Sequence, residues 1–265
     1  MNWNFLVASF KDPYERKARL FPGLLVILPL LISICCVFGP TQPIPTAVLT
    51  LVATAGGTFA LASLSRSAGK RLEEKLVAKW GGMPTTIILR YRDNHYNRYT
   101  KQAYHQKLGH LSGIELPTAQ EETVDPTDAD ERYEAVTAKL RGMTRGPDFP
   151  HLRRENIAYG FYRNALALKA QGIASAVLGI LLSAFTANAF TLNPPYVAMA
   201  NILHPGAPIA LAMISDAVIA IAWLSFTQNG LRRVGFAYAE RLFECLDSLP
   251  QDTHSAPQQQ SEGQP

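Results

Sequence analysis

Long apolar stretches alternate with charge-rich ones along this chain. The apolar stretches run from Leu20 to Phe38, Pro45 to Leu64, Ala165 to Phe185 and Ala207 to Phe226. Each is near the ~20 residues a helix needs to cross a hydrocarbon core of about 30 Å, so each reads as a membrane-spanning helix. Lys11, Arg16, Lys17 and Arg19 precede the first stretch, and Arg66, Lys70, Arg71 and Lys75 follow the second. Arg153, Arg154 and Arg163 lead into the third, and Arg232 and Arg233 leave the fourth. The other two connections, Gly39 to Ile44 and Thr186 to Gly206, hold no Lys, Arg, Asp or Glu. Because basic residues stay on the cytoplasmic side, the pattern predicts an integral inner-membrane protein with N-terminus, central segment and C-terminus all cytoplasmic.

The expected architecture is all-α. Residues 1–19 form a cytoplasmic N-terminal segment, and 20–64 form a transmembrane hairpin tightened by Pro40, Pro43 and Pro45. Residues 65–164 make a helical cytoplasmic domain, 165–226 a second transmembrane hairpin, and 227–250 a cytoplasmic helix. Residues 251–265, rich in Gln, Ser and Pro, are expected to be disordered. Pro29 is expected to kink the first span. Leu64, Ala68, Leu72, Leu76 and Trp80 recur every four residues and predict an amphipathic stalk continuing the second helix by about 24 Å. Gly81, Gly82 and Pro84 end it. Thr85 to Leu89 reads equally as a short strand or the opening of a helix. Asp93 to Leu111 has helical character, and Asp128 with Glu131 reads as a capping box for a helix reaching about Arg141. From Leu152 another helix, with Ile157, Phe161, Ala165 and Leu168 near one face, runs into the third span. A short interfacial helix is expected over Tyr196 to Leu203. Leu231, Val234, Tyr238, Leu242 and Leu246 carry an apolar stripe beyond the fourth span.

Composition changes this picture little. A hydrophobic fraction of 48% and a mean hydropathy of +0.02 average lipid-facing helix with polar protein. The net charge of +4 lies largely beside the membrane crossings, where it sets topology and meets anionic lipid, so charge alone identifies no nucleic-acid partner. The first apolar run follows a long charged segment, lacks a small-residue cleavage site and is answered by a second span. It is therefore expected to be retained rather than removed as a signal peptide. Cys35 and Cys36 in the first span and Cys245 near the C-terminus make no disulfide framework.

The sharpest residue is Asp216, midway along the fourth span, where an ionisable side chain costs at least ~2.5 kcal/mol. One reading places it on a water-filled path, as an acidic ring in an oligomer. The other makes it a hydrogen-bonded lock within the helix bundle. Lys169 lies nearer the cytoplasmic side of its span and is expected to snorkel rather than pair with Asp216. Thr50, Thr54 and Thr58 form a hydroxyl stripe on the second span, and Gly172, Ser175, Gly179 and Ser183 a small-residue stripe on the third. Both stripes suit close helix packing or the lining of a narrow pore.

In the central segment, Arg90, Arg92, Arg98, Lys101 and Lys107 interleave with Tyr91, Tyr96, Tyr99 and Tyr104. Cations for phosphates beside aromatic faces for bases would suit a nucleotide or single-stranded oligonucleotide signal. The same pattern suits a solvated helix paired with the acidic stretch of Glu121, Glu122, Asp125, Asp128, Asp130, Glu131 and Glu134. His95, His105 and His110 lack metal-ligand spacing. No phosphate-binding glycine loop and no nucleophile motif is present, so neither a cofactor nor an enzymatic activity is expected.

The run Trp80-Gly81-Gly82-Met83-Pro84-Thr85-Thr86, then Pro117-Thr118-Ala119-Gln120-Glu121-Glu122 with Asp125-Pro126 and Ala129-Asp130, resembles a family of uncharacterised bacterial four-span proteins. Glu155-Asn156-Ile157-Ala158-Tyr159-Gly160-Phe161 with Arg163-Asn164 carries the same resemblance. In layout the chain is also similar to membrane effectors of bacterial anti-phage systems, the Hailong-type channel effectors among them. That resemblance implies a homo-oligomeric ion channel gated from the cytoplasm by a nucleotide signal or a partner protein. The rival expectation is a non-conducting membrane scaffold that recruits a cytoplasmic partner.

Overall fold

The computed structural model describes residues 12–39, 43, 46–47, 55–190, 193–194 and 196–249. Among them the chain is all-helical. The first helix, α1 (Glu15–Phe38), opens with a π turn over Glu15–Leu20. It is followed by α2 (Ala55–Trp80), α3 (Pro84–Ile87), α4 (Arg98–Ser112), α5 (Ala119–Val124), α6 (Pro126–Met143) and α7 (Pro150–Ala167). Then come α8 (Lys169–Thr186), α9 (Met199–Leu203), α10 (Ala207–Leu224) and α11 (Gln228–Glu244), with a 3₁₀ turn at Cys245–Ser248. The helices form two compact units: Met1–Pro84 with Arg153–Tyr238, and Thr85–Leu152 with Ala239–Pro265.

In the first unit, α1, α8 and α10 pack against one another. These three helices are long and apolar enough to cross a membrane. Their outward surface agrees with that: Leu211, Ile214, Val218 and Ile221 on α10 and Leu178 and Leu181 on α8 are exposed. Contiguous apolar faces of this kind suit lipid rather than water. Of the expected second span, Ala55 to Leu64 lies on α2, while 48–54 fall outside the described residues. Close approach comes from glycine. A Cβ at Gly172 would collide with the Trp223 ring, and one at Gly23 would press on Leu61.

The rest of this unit is a cluster of Leu72, Leu76 and Trp80 from α2, Tyr159, Tyr162 and Leu166 from α7, and Leu231 and Val234 from α11. Glu73 accepts from Arg163 at 2.9 Å and from the Tyr159 hydroxyl at 2.7 Å. Burial first, and the Glu73 charge second, push the Tyr159 phenol well above its ordinary range. The lower half of the predicted stalk stripe is therefore a packing face. Its upper half is displaced by one residue: Leu64 is exposed, and the buried positions are Ser65 and Gly69. The reason is steric. Gly69 lies against the side-chain oxygen of the fully buried Asn164, whose amide donates to the Ala18 carbonyl at 2.6 Å, leaving no room for a leucine there.

The predicted continuous helix into the third span is interrupted at Leu168 (φ −96°, ψ 6°), between α7 and α8. The fourth ends at Leu224, two residues short of Phe226. The interfacial helix is shorter than expected, at Met199–Leu203, and an isolated bridge joins Phe190 to Val197 ahead of it.

In the second unit, α4 and α5 pack on α6 around Leu108, Ala129, Tyr133, Val136 and Leu140, with the buried run Ile87 to Leu89 beneath. Thr85 to Leu89 is not a strand: α3 is a single helical turn. The predicted capping box at Asp128 is corrected in position. Thr118 and Glu121 form the capping box, which starts α5. Asp125 caps α6 by accepting from the backbone of Thr127 and Asp128, with Pro126 following as the first helical residue, where its missing N–H costs nothing. The helix expected over Asp93 to Leu111 begins later, at Arg98, where the Asn97 side chain accepts from Thr100 N.

Candidate functional site

Most of the basic and aromatic residues singled out in the central segment are held by their own unit. Arg90 makes a forked pair with Asp130, at 2.7 and 2.8 Å. Arg92 reaches the same carboxylate at 3.0 Å and Glu122 at 3.4 Å. Lys101 is buried, and its ammonium donates to the backbone carbonyls of Arg90 and Asp93, at 2.5 and 2.6 Å. Burial lowers its pKa, against the pull of Asp93 and Glu122. Lys107 pairs with Asp247. Tyr96 lies tilted against Tyr104, with centroids 5.3 Å apart, and Tyr104 packs on Phe243. Burial raises both phenols. Tyr99 is exposed.

Arg98, at the start of α4, lines a depression without an ion pair in this unit's described network, beside Lys101, whose ammonium is taken up by backbone carbonyls. That depression, of ≈ 540 Å³, is bounded by Tyr91, Tyr96, Arg98, Lys101, Gln102 and Thr118. A second depression of ≈ 570 Å³ has Gln102, His105, Gln106 and His110 on its walls. His105 donates from Nε2 to the Leu89 carbonyl at 2.8 Å, and its Nδ1 is buried without a partner. Burial lowers its pKa.

The keystone of this unit is Glu122, 2% exposed. Its Oε2 accepts from Tyr91 N at 2.7 Å and from the Tyr133 hydroxyl at 2.8 Å, and its Oε1 from Arg92 N at 3.1 Å. The sequence placed Glu122 within an acidic run. Nothing in that run marked Glu122 as the acid that faces inward.

The membrane-type bundle holds the other buried acid. Asp216 is 0% exposed. Its Oδ2 accepts from the Ser33 hydroxyl of α1 at 2.6 Å, while its Oδ1 is buried without a partner among the described residues. Ser33 Oγ also lies 3.0 Å from the Gly179 carbonyl and 3.2 Å from Ser183 Oγ, both on α8. A Cβ at Gly179 would collide with Asp216 Oδ2 and press on Ser33 Oγ. The small-residue stripe of α8 thus meets Asp216 directly, and Ser33 is the partner that sequence reading missed. A lone serine among leucines and isoleucines is its only trace. Thr50 and Thr54 lie outside the described residues, and Thr58 lies on α2.

Lys169 does not pair with Asp216. Its ammonium donates to the Leu224 and Phe226 carbonyls, at 3.1 and 2.9 Å, capping the last turn of α10. Among the described residues, no group of three or more His, Cys, Asp and Glu side chains is placed to hold a metal ion. Comparison of the chain with protein-family models, with curated proteins and with solved structures gives no match.

Proposed function

We propose that the chain is an ion-conducting protein of the bacterial inner membrane, with both termini cytoplasmic, assembled as a homo-oligomer and controlled through its second unit. The observation that carries this reading is Asp216: a carboxylate enclosed by three apolar helices, with one oxygen unpartnered and no basic side chain on it among the described residues. Such a group is costly in lipid, and intramembrane acids mark ion pathways. Because Asp216 faces the interior of its own bundle, the path in this reading runs between α1, α8 and α10 of each protomer, and the Ser33 contact closes it. A four-span layout, with Pro45 to Leu64 completing the first hairpin, belongs to the same proposal.

The controlling signal in this reading enters at the depression beside Tyr96 and Arg98, the part of the basic segment not already neutralised. The layout shared with anti-phage channel effectors supports a nucleotide or oligonucleotide there. The scaffold reading has its own support: the pairs of Arg90 and Arg92 with Asp130 and Glu122 leave few cations for a polyanion, and suit a unit built to hold its shape for a protein partner.

Ion flux into liposomes carrying the purified chain, with and without short oligonucleotides and cyclic nucleotides, tests the proposal. Flux that changes in Asp216→Asn supports it. Silence from inserted, oligomeric protein overturns it in favour of the scaffold.

A further inference from the structure

We infer that Asp216, Ser33, Ser183 and the Gly179 carbonyl form a binding site for a small monovalent cation, Na⁺ in competition with H⁺. The inference rests on the ion-pathway reading for its use, but the site is defined by its own chemistry. Four oxygens from three helices cluster in the buried interior: the Ser33 hydroxyl has the Asp216 carboxylate, the Ser183 hydroxyl and the Gly179 main-chain carbonyl around it. All are hard oxygen ligands, the set that suits alkali and alkaline-earth ions rather than softer transition metals.

Charge decides the valence. Within Phe21–Phe38, Ala170–Thr186 and Ala207–Leu224, Asp216 is the sole acidic or basic residue. One positive charge neutralises it, whereas a divalent ion would leave an uncompensated charge in a low-dielectric interior. Size follows from spacing. Ser33 Oγ stands 2.6, 3.0 and 3.2 Å from the Asp216, Gly179 and Ser183 oxygens, so a small ion enters beside it with the least displacement. Gly179 sets that spacing, because any side chain there would push the carboxylate off Ser33.

Hydrogen-bond accounting gives the exchange a route. Ser33 has a single hydroxyl proton and three acceptors in reach, Asp216 Oδ2, the Gly179 carbonyl and Ser183 Oγ. When the proton turns to Gly179, an Oγ lone pair faces the carboxylate, and only a cation or a proton can then sit between the two oxygens. Oδ1 of the same carboxylate, buried without a partner among the described residues, is a further oxygen available to the ion.

Equilibrium dialysis of the detergent-solubilised full chain against radioactive sodium tests the site. The expected result is one saturable Na⁺ per chain, weakened by lowering pH, displaced poorly by K⁺, and absent in Asp216→Asn. Ser33→Ala should weaken it about tenfold, the equivalent of ~1.4 kcal/mol. Elution position and helical content of each variant establish that it folds, and Ser183→Ala provides a milder second variant. No saturable Na⁺ binding, or equal displacement by K⁺, overturns the inference. Na⁺ binding without flux would retain the site and remove the ion-pathway reading, and flux without Na⁺ binding would do the reverse.

Discussion

Two buried carboxylates, Glu122 and Asp216, are equally hidden from solvent and differ in everything else. Glu122 has both oxygens engaged, by two backbone N–H groups, a tyrosine hydroxyl and a guanidinium. Asp216 has one serine hydroxyl and, among the described residues, an idle oxygen. A fully satisfied buried polar network rigidifies, while a partly satisfied one costs stability that something else must repay. Glu122 therefore belongs to the architecture of its unit, and Asp216 is the acid whose presence calls for a function.

The largest effect that separates them is expected at Glu122→Ala. It leaves buried donors without an acceptor, at a loss of about 3 kcal/mol. Hydrogen exchange of α5 and α6 in the full chain should accelerate accordingly, and unchanged protection there would demote Glu122 to a surface acid. Next in size is Gly179→Ala, where the new methyl meets the Asp216 carboxylate and Ser33. Crowding of this kind costs roughly 1–3 kcal/mol. The midpoint of thermal unfolding in detergent should drop, and the drop should shrink when Asp216→Ala is added, because that change removes the atom that is struck.

The smallest effect is a pH dependence at His105. Burial holds its pKa below the ordinary 6.5. Above that pH the ring is neutral in both folded and unfolded chains, and the full stability is present. Below it the unfolded chain takes up the proton first, so stability falls as pH drops toward the folded value, by at most ~1.4 kcal/mol per pH unit. Around the ring, Lys101 opposes protonation while Glu122 and the Leu89 carbonyl favour it. Melts followed by circular dichroism between about pH 7.5 and 5.5 should show a shallower acid slope for His105→Gln than for the unsubstituted chain.

What could be read from sequence follows from the range of the forces involved. Apolar length alone placed α1, α8 and α10, because a membrane-type helix announces itself over some twenty residues. The stripe Leu72, Leu76 and Trp80 was legible for the same reason. Ser65 and Gly69 were not, since small residues become a packing face only opposite a large partner, here Asn164, nearly a hundred residues away. Asp216 stood out by its cost, but its partner Ser33 is a neutral residue in a distant helix and carries no periodic signal. The basic segment was legible as charge and not as geometry: whether Arg90 and Arg92 face a ligand or Asp130 depends on how α3 and α6 pack.

The order of the chain adds a consequence of the Ser33 contact. Ser33 and Gly179 are synthesised before Asp216, and α10 is the last of the three bundle helices to be made. The carboxylate of α10 and the ammonium of Lys169 fasten that helix at two levels, Asp216 to Ser33 of α1 and the Leu224 and Phe226 carbonyls to α8. A chain cut short before α10 lacks both fastenings at once.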